Sequence, residues 1–151
     1  LLVEVQSLTA TNSFGLPRRT ANGIEYSRLL LLAAVLSKRV GLSLSNQDVY
    51  VNIVGGMRVS EPAVDLPVAL AVASSFRNVP VPPTLAAAGE VGLSGEVRNI
   101  SQVQRRVQEA AKLGFRRLVV PRSVALRTVG APGLEVVGVR TLSEAIAAAL
   151  D

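Results

Sequence analysis

Three times along this chain a strand-like run precedes a helix-start signature, and that order confines it to a mixed α/β fold (α/β, α+β). The signatures are Asn22-x-x-Glu25, Ser101-x-x-Gln104 and Thr141-x-x-Glu144, each with capping-box spacing. The runs before them are Val3–Leu8, Glu96–Arg98 and Leu134–Val139. The first alternates apolar and polar residues, as a half-buried strand does. Helices are expected over Asn22–Val40, stopped by Gly41, over Ser101–Leu113, stopped by Gly114, and over Leu142–Leu150. The middle of the first is apolar on nearly every side, so it is central in the fold or shared with a neighbour.

Between these lie further elements. Thr9–Thr20, rich in Ser, Thr, Asn, Gly and Pro, reads as a loop. Asp48–Val54 reads as a strand with Val49, Val51 and Ile53 on one face, ended by Gly55-Gly56. Met57–Val64 is a loop, and Asp65 is placed to cap a helix over Leu66–Ser75. Ala86–Leu93 and Glu96–Arg98 form a hairpin around Ser94-Gly95, and Arg117–Val120 is a short buried strand stopped by Pro121. The 151 residues carry no internal repeat or linker and suit one domain, 1–151.

With no Cys and no His, a Ser-His-Asp triad, a Cys-His pair and a His/Cys metal cluster are excluded. No Gly-x-x-x-x-Gly-Lys-Ser/Thr occurs, so this chain has no P-loop. A Ser-Lys dyad is the common hydrolytic arrangement that remains. It needs a buried lysine of lowered pKa beside a serine. The lysines are Lys38 and Lys112. Lys38 falls at the end of the first helix, and Lys112 lies about 12 Å along the axis from Gln104. Neither position reads as buried. No metal or cofactor is expected in this domain. The absence of an apolar run of membrane length, of a signal peptide and of Cys leads us to expect a cytoplasmic protein without membrane contact.

Net charge is +5 and the basic residues are nearly all Arg. They fall in groups: Arg18-Arg19, Lys38-Arg39, Arg58, Arg98, Arg105-Arg106, Lys112 and Arg116-Arg117. Any one group reads as a solvated face. Together they suit a phosphate backbone, because Arg makes bidentate phosphate contacts. Aromatic residues are only 3%, so stacking on several rings is not expected, and nucleic-acid contact falls to the phosphates.

The stretches Asp48-Val-Tyr-Val-Asn-Ile-Val-Gly-Gly56, Glu61-Pro-Ala-Val-Asp-Leu66, Gly89-Glu-Val-Gly-Leu-Ser-Gly-Glu-Val-Arg98 and Arg105-Arg106…Glu109-Ala-Ala-Lys-Leu-Gly-Phe115 carry a resemblance across essentially the whole chain. They resemble the C-terminal domain of the RadA (Sms) family of bacterial DNA-repair proteins, RecA paralogues. That domain is similar to the proteolytic domain of Lon proteases, with the fold of domain 2 of ribosomal protein S5. The resemblance implies that the nucleophile position lies near Asp65, where no Ser stands between Ser60 and Ser74, and that the lysine position holds Gln104. Asp65 and Gln104 are then expected to be helix caps. It also implies that this is the C-terminal piece of a DNA-dependent ATPase. Its zinc-binding segment and RecA-like core, with ATP and Mg, would lie in parts that this chain lacks. The resemblance further implies a hexameric ring on DNA and recombinase or helicase partners.

The resulting expectation is a non-proteolytic Lon-like domain giving ring assembly and sequence-independent DNA binding. The proposed contacts are Arg105, Arg106, Arg116, Arg117, Arg18, Arg19 and Arg58, then Lys112, Arg98, Lys38 and Arg39. The alternatives are a pure oligomerisation scaffold and a peptidase with a displaced dyad.

Overall fold

A computed structural model describes residues 2–151. Its first sheet places β3 (Gln47–Ile53) between β1 (Val5–Thr11) and β2 (Arg19–Asn22). β1 pairs antiparallel with β3, from Val5 opposite Ile53 to Thr11 opposite Gln47. β2 runs parallel to β3, from Arg19 opposite Val49 to Asn22 opposite Asn52. Val49, Val51 and Ile53 all face the core, as their period of two requires. β2 lies within and just beyond the segment expected to be a loop.

The ladder changes the start of the first helix. Asn22 is held in β2, so it cannot act as a cap. α1 (Tyr26–Val35) begins at Glu25, whose side chain makes no capping bond. Past Val35 the helix widens into a π-helical turn, Leu36–Val40, and ends at Gly41. Gly41 adopts φ 88°, the left-handed geometry that glycine reaches without a Cβ penalty. Leu29, Leu32, Ala33, Val35 and Leu36 are buried, whereas Tyr26, Leu30 and Ala34 face outward. The helix is therefore not buried on all sides.

The second sheet is wholly parallel, with β7 (Arg117–Pro121) between β4 (Leu85–Ala87) and β8 (Glu135–Val139). Parallel sheets need cover on both faces. Val119 points into the main core with α2 (Asp65–Arg77) and α5 (Leu142–Leu150). Leu118 and Val120 point the other way, into a smaller core with Val103, Val107 and Ala110 of α3 (Val103–Lys112) and with Val124. Val124 belongs to α4 (Arg122–Ala125), a short helix that sequence reasoning did not anticipate. The hairpin is β5 (Glu90–Val91) and β6 (Val97–Arg98). Residues 85–87 belong to the parallel sheet instead of the hairpin.

Of the three capping boxes, one forms in part. The Thr141 hydroxyl accepts the Glu144 N–H at 3.1 Å, while the Glu144 carboxylate takes the Arg140 N–H at 3.1 Å, not that of Thr141. At Ser101 the box is absent: Gln102 occupies the cap position at φ 57° with no side-chain cap bond.

Candidate nucleic-acid interface and the cleft at Asp65

Asp65 is the first residue of α2, and its burial decides its role. Among the described residues it is the one buried charged side chain, at 1% exposure. It does not cap its helix. Its Oδ1 accepts Arg28 Nε at 3.2 Å, and its Oδ2 accepts both Arg28 Nη2 and the Val91 N–H, the latter at 3.1 Å. One carboxylate thus ties α1, α2 and β5 together. Burial pushes the Asp65 carboxyl above the ordinary aspartate range, against the opposing pull of Arg28 and the Val91 N–H.

Beside this pair lies a cleft of about 120 Å³, lined on its polar side by Glu25, Arg28, Ser60, Glu61, Asp65 and Glu90. No lysine lines it. Lys38, in the π-helical turn, and Lys112, ending α3, are both exposed. The cleft therefore holds an ion pair and an acidic rim, without the buried lysine of a Ser-Lys dyad.

Gln104 is not a cap either. Its amide grips a loop 25 residues away, donating to the Val129 carbonyl at 3.0 Å and accepting the Val129 N–H at 2.7 Å. Val129 thereby satisfies both its backbone groups on one side chain.

The basic residues separate into groups with different duties. Arg19 spends its guanidinium on the Leu44 carbonyl, at 3.0 Å, and on the Gln47 carbonyl. Arg18 beside it is exposed and forms no salt bridge among the described residues. Arg19 reaches the loop that follows the π-helical turn, and Leu42 returns a hydrogen bond to Leu36 at 3.1 Å. Lys38 and Arg39 therefore lie at the same end of the first sheet as Arg18. Arg39 Nε donates to the Leu93 carbonyl at 3.2 Å, whereas Lys38 is exposed and forms no salt bridge among the described residues.

At the opposite end, Arg106 pairs with Glu61 at 3.1 Å, and Arg105 reaches Gln102 at 3.4 Å. Arg58, on the loop leading to Glu61, is exposed and forms no ion pair among the described residues. Elsewhere, Arg117 pairs with Glu135 at 3.1 Å and Arg98 with Glu96 at 3.1 Å. Arg116 and Lys112 stay exposed, without a salt bridge among the described residues. The predicted cations thus do not form one patch. Among the described residues, those without a salt bridge or a side-chain hydrogen bond are Arg18, Lys38, Arg58, Lys112 and Arg116.

Comparison with known proteins gives this architecture a family. The family model described as subunit ChlI of Mg-chelatase matches residues 3–124. The chain belongs to the ChlI family. The ChlI-family chain is also homologous to the DNA repair protein RadA. It is 49% identical to the Bacillus subtilis (strain 168) protein over 150 residues, 99% of this chain and 33% of that relative. Identity is 50% over 147 residues with the Halalkalibacterium halodurans protein, covering 97% of this chain and 32% of the relative. With the Listeria monocytogenes protein it is 47% over 150 residues, 99% of this chain and 33% of the relative. The chain spans about a third of the length of these relatives. No described helix is long and apolar enough to cross a membrane.

Several residues of this ChlI-family chain escaped sequence reasoning. Arg28 was the most informative of them. It stands on the same stripe as Leu32 and Val35, at i, i+4 and i+7, and an arginine on a buried stripe implies a buried carboxylate. Arg122, Arg127 and Arg140 also add positive charge, around the carboxyl ends of β7 and β8. Nothing local in the sequence marks them as different from other surface arginines.

Proposed function

We propose that this chain is a non-proteolytic, Lon-like domain of a DNA-repair ATPase, and that it assembles a ring and binds DNA without sequence preference. The observation that carries the reading is that five of the cations singled out in the sequence, Arg18, Lys38, Arg58, Lys112 and Arg116, are exposed and make neither a salt bridge nor a side-chain hydrogen bond among the described residues. A cation already neutralised by a neighbouring carboxylate gains little from a phosphate. An unpaired one releases a counterion when a phosphate binds. The absence of lysine from the Asp65 cleft supports the non-proteolytic part. The relatives' name, DNA repair protein RadA, supports the setting. The remaining two thirds of such a protein would supply the zinc-binding segment and a RecA-like ATPase core with its ATP and Mg. Recombinase or helicase partners and a cytoplasmic location belong to the same proposal.

The test is a salt series of DNA binding by the chain. Affinity should fall steeply, with a log–log slope near the number of phosphates neutralised. Binding that stays level from low to moderate salt would defeat the reading. A second reading, a ring scaffold without DNA contact, draws on Tyr26 and Leu30, which are 54% and 42% exposed on the outer face of α1. Substituting both with Ser would then lower the sedimentation coefficient.

A further inference from the structure

The loop between β1 and β2, Asn12-Ser-Phe-Gly-Leu-Pro-Arg18, carries the two most exposed large apolar side chains of the described residues. Phe14 is 99% exposed and Leu16 is 90% exposed. A single such residue on a surface needs no explanation, but two on one tip leave a full aromatic ring and an isobutyl group in water together. The chain has three Phe and no Trp, so this placement uses a scarce residue.

The tip is held in shape. Asn12 Oδ1 accepts the Phe14 N–H at 2.9 Å, and Asn12 Nδ2 donates to the Leu16 carbonyl at 3.3 Å and to Asp48 Oδ1 at 3.0 Å. Asp48 Oδ1 also accepts the Arg18 N–H at 2.7 Å, and the Asn12 N–H reaches the Asn46 carbonyl at 2.7 Å. The bond from the Arg18 N–H, then that from Asn12, holds the Asp48 carboxyl below its ordinary range, so its charge persists and is engaged within the loop. A loop fixed in this way has less ordering cost left to meet on binding.

Its surroundings are cationic. Arg18 ends the tip and Lys38 lies at the same end of the sheet, both exposed and without salt bridges among the described residues. Arg19 and Arg39 are held by carbonyl oxygens, which leave their charge uncompensated. The core of a protein–protein contact is depleted in lysine. An apolar tip framed by cations suits a ligand with flat apolar faces along an anionic backbone. The geometry points to Phe14 and Leu16 as a wedge that packs against nucleic-acid bases while Arg18 and Lys38 hold the adjoining phosphates. The inference rests on the DNA-binding reading above and adds to it a contact that is not electrostatic. Stacking tolerates any sequence, because every base presents a π face.

Phe14→Trp gives the chain a single tryptophan as a reporter. Titration with a poly-thymidine strand and with a mixed-sequence duplex should quench its emission in step with binding. Phe14→Ala with Leu16→Ala should weaken binding about tenfold and leave the salt slope unchanged. Arg18→Ala with Lys38→Ala should reduce the slope by about two. Because the tip is exposed, circular dichroism of these variants should match the parent. If the tryptophan emission does not change at saturation and the Phe14/Leu16 variant binds as tightly as the parent, the wedge is wrong and the phosphate reading stands. If the parent binds no DNA at any salt, both fall. If the Phe14/Leu16 variant shows a lower sedimentation coefficient without DNA, the tip joins copies of this chain, and the wedge is overturned in favour of a protein contact.

Discussion

Arg28 of α1 and Asp65 of α2 meet in a two-pronged ion pair that spans 37 residues of chain. The carboxylate is fully buried and the arginine side chain about a third exposed, at 34%. Arg28→Met should therefore be costly, since it leaves Asp65 buried without its counter-charge. The expected loss is about 3 kcal/mol, the low end for a broken buried pair. A urea titration should show the midpoint fall at unchanged slope. Arg28→Met combined with Asp65→Leu should recover most of that loss, because no charge then remains buried.

The pH dependence has two opposing parts. Asp65 has a raised folded-state pKa, so the folded state holds that proton more tightly than the unfolded state. Its contribution to stability therefore falls as pH rises from the ordinary aspartate value through the folded one. Asp48 and Glu96 have lowered values. Backbone N–H bonds are the leading cause at each, from Arg18 and from Glu96 itself respectively. Their contribution is present above the ordinary carboxylate value and is lost as pH falls through the lowered one. Urea midpoints measured from about pH 2 to 6 should show Asp65→Asn removing the falling component and Asp48→Asn removing part of the acid-side loss.

Gly23 cannot be replaced cheaply. Its φ is +94°, and a Cβ there would stand 2.6 Å from Ile53 Cβ and from the Met57 carbonyl oxygen. Gly23→Ala combines backbone strain with overpacking against a fixed strand, and about 3 kcal/mol should be lost. Thermal unfolding is the check. Gly114→Ala is the control for strain alone, since its φ is +87° and no atom lies within 4 Å of its Cβ position.

Gln104→Ala removes both hydrogen bonds to Val129 and should cost about 1 kcal/mol. The sharper readout is hydrogen exchange, in which the Val129 amide should lose protection while the α3 amides keep theirs. Gln104→Lys should behave in the same way for that amide, because a lysine side chain has no acceptor for the Val129 N–H.

Free and paired cations should separate in DNA binding. Arg18→Ala or Arg116→Ala should each flatten the log–log salt slope by about one. Arg117→Ala and Arg98→Ala should leave it nearly unchanged, because Glu135 and Glu96 already neutralise those side chains. Fluorescence anisotropy at several salt concentrations would reveal the contrast.

Local pattern was sufficient where one face of an element had to be buried. The period of two in β3 set Val49, Val51 and Ile53 inward, and the Thr141 cap started α5. Composition removed His and Cys chemistry outright. A capping box, however, describes only what a side chain can reach along its own chain. Asn22 was taken into a parallel ladder, Gln104 was drawn to a backbone 25 residues away, and Asp65 was claimed by an arginine 37 residues before it. Each side chain had a local partner available in principle, and burial or strand pairing supplied a different one. The same holds for charge. Composition alone makes the chain basic, whereas folding brings distant carboxylates and carbonyls up to some arginines and leaves others without a salt bridge among the described residues.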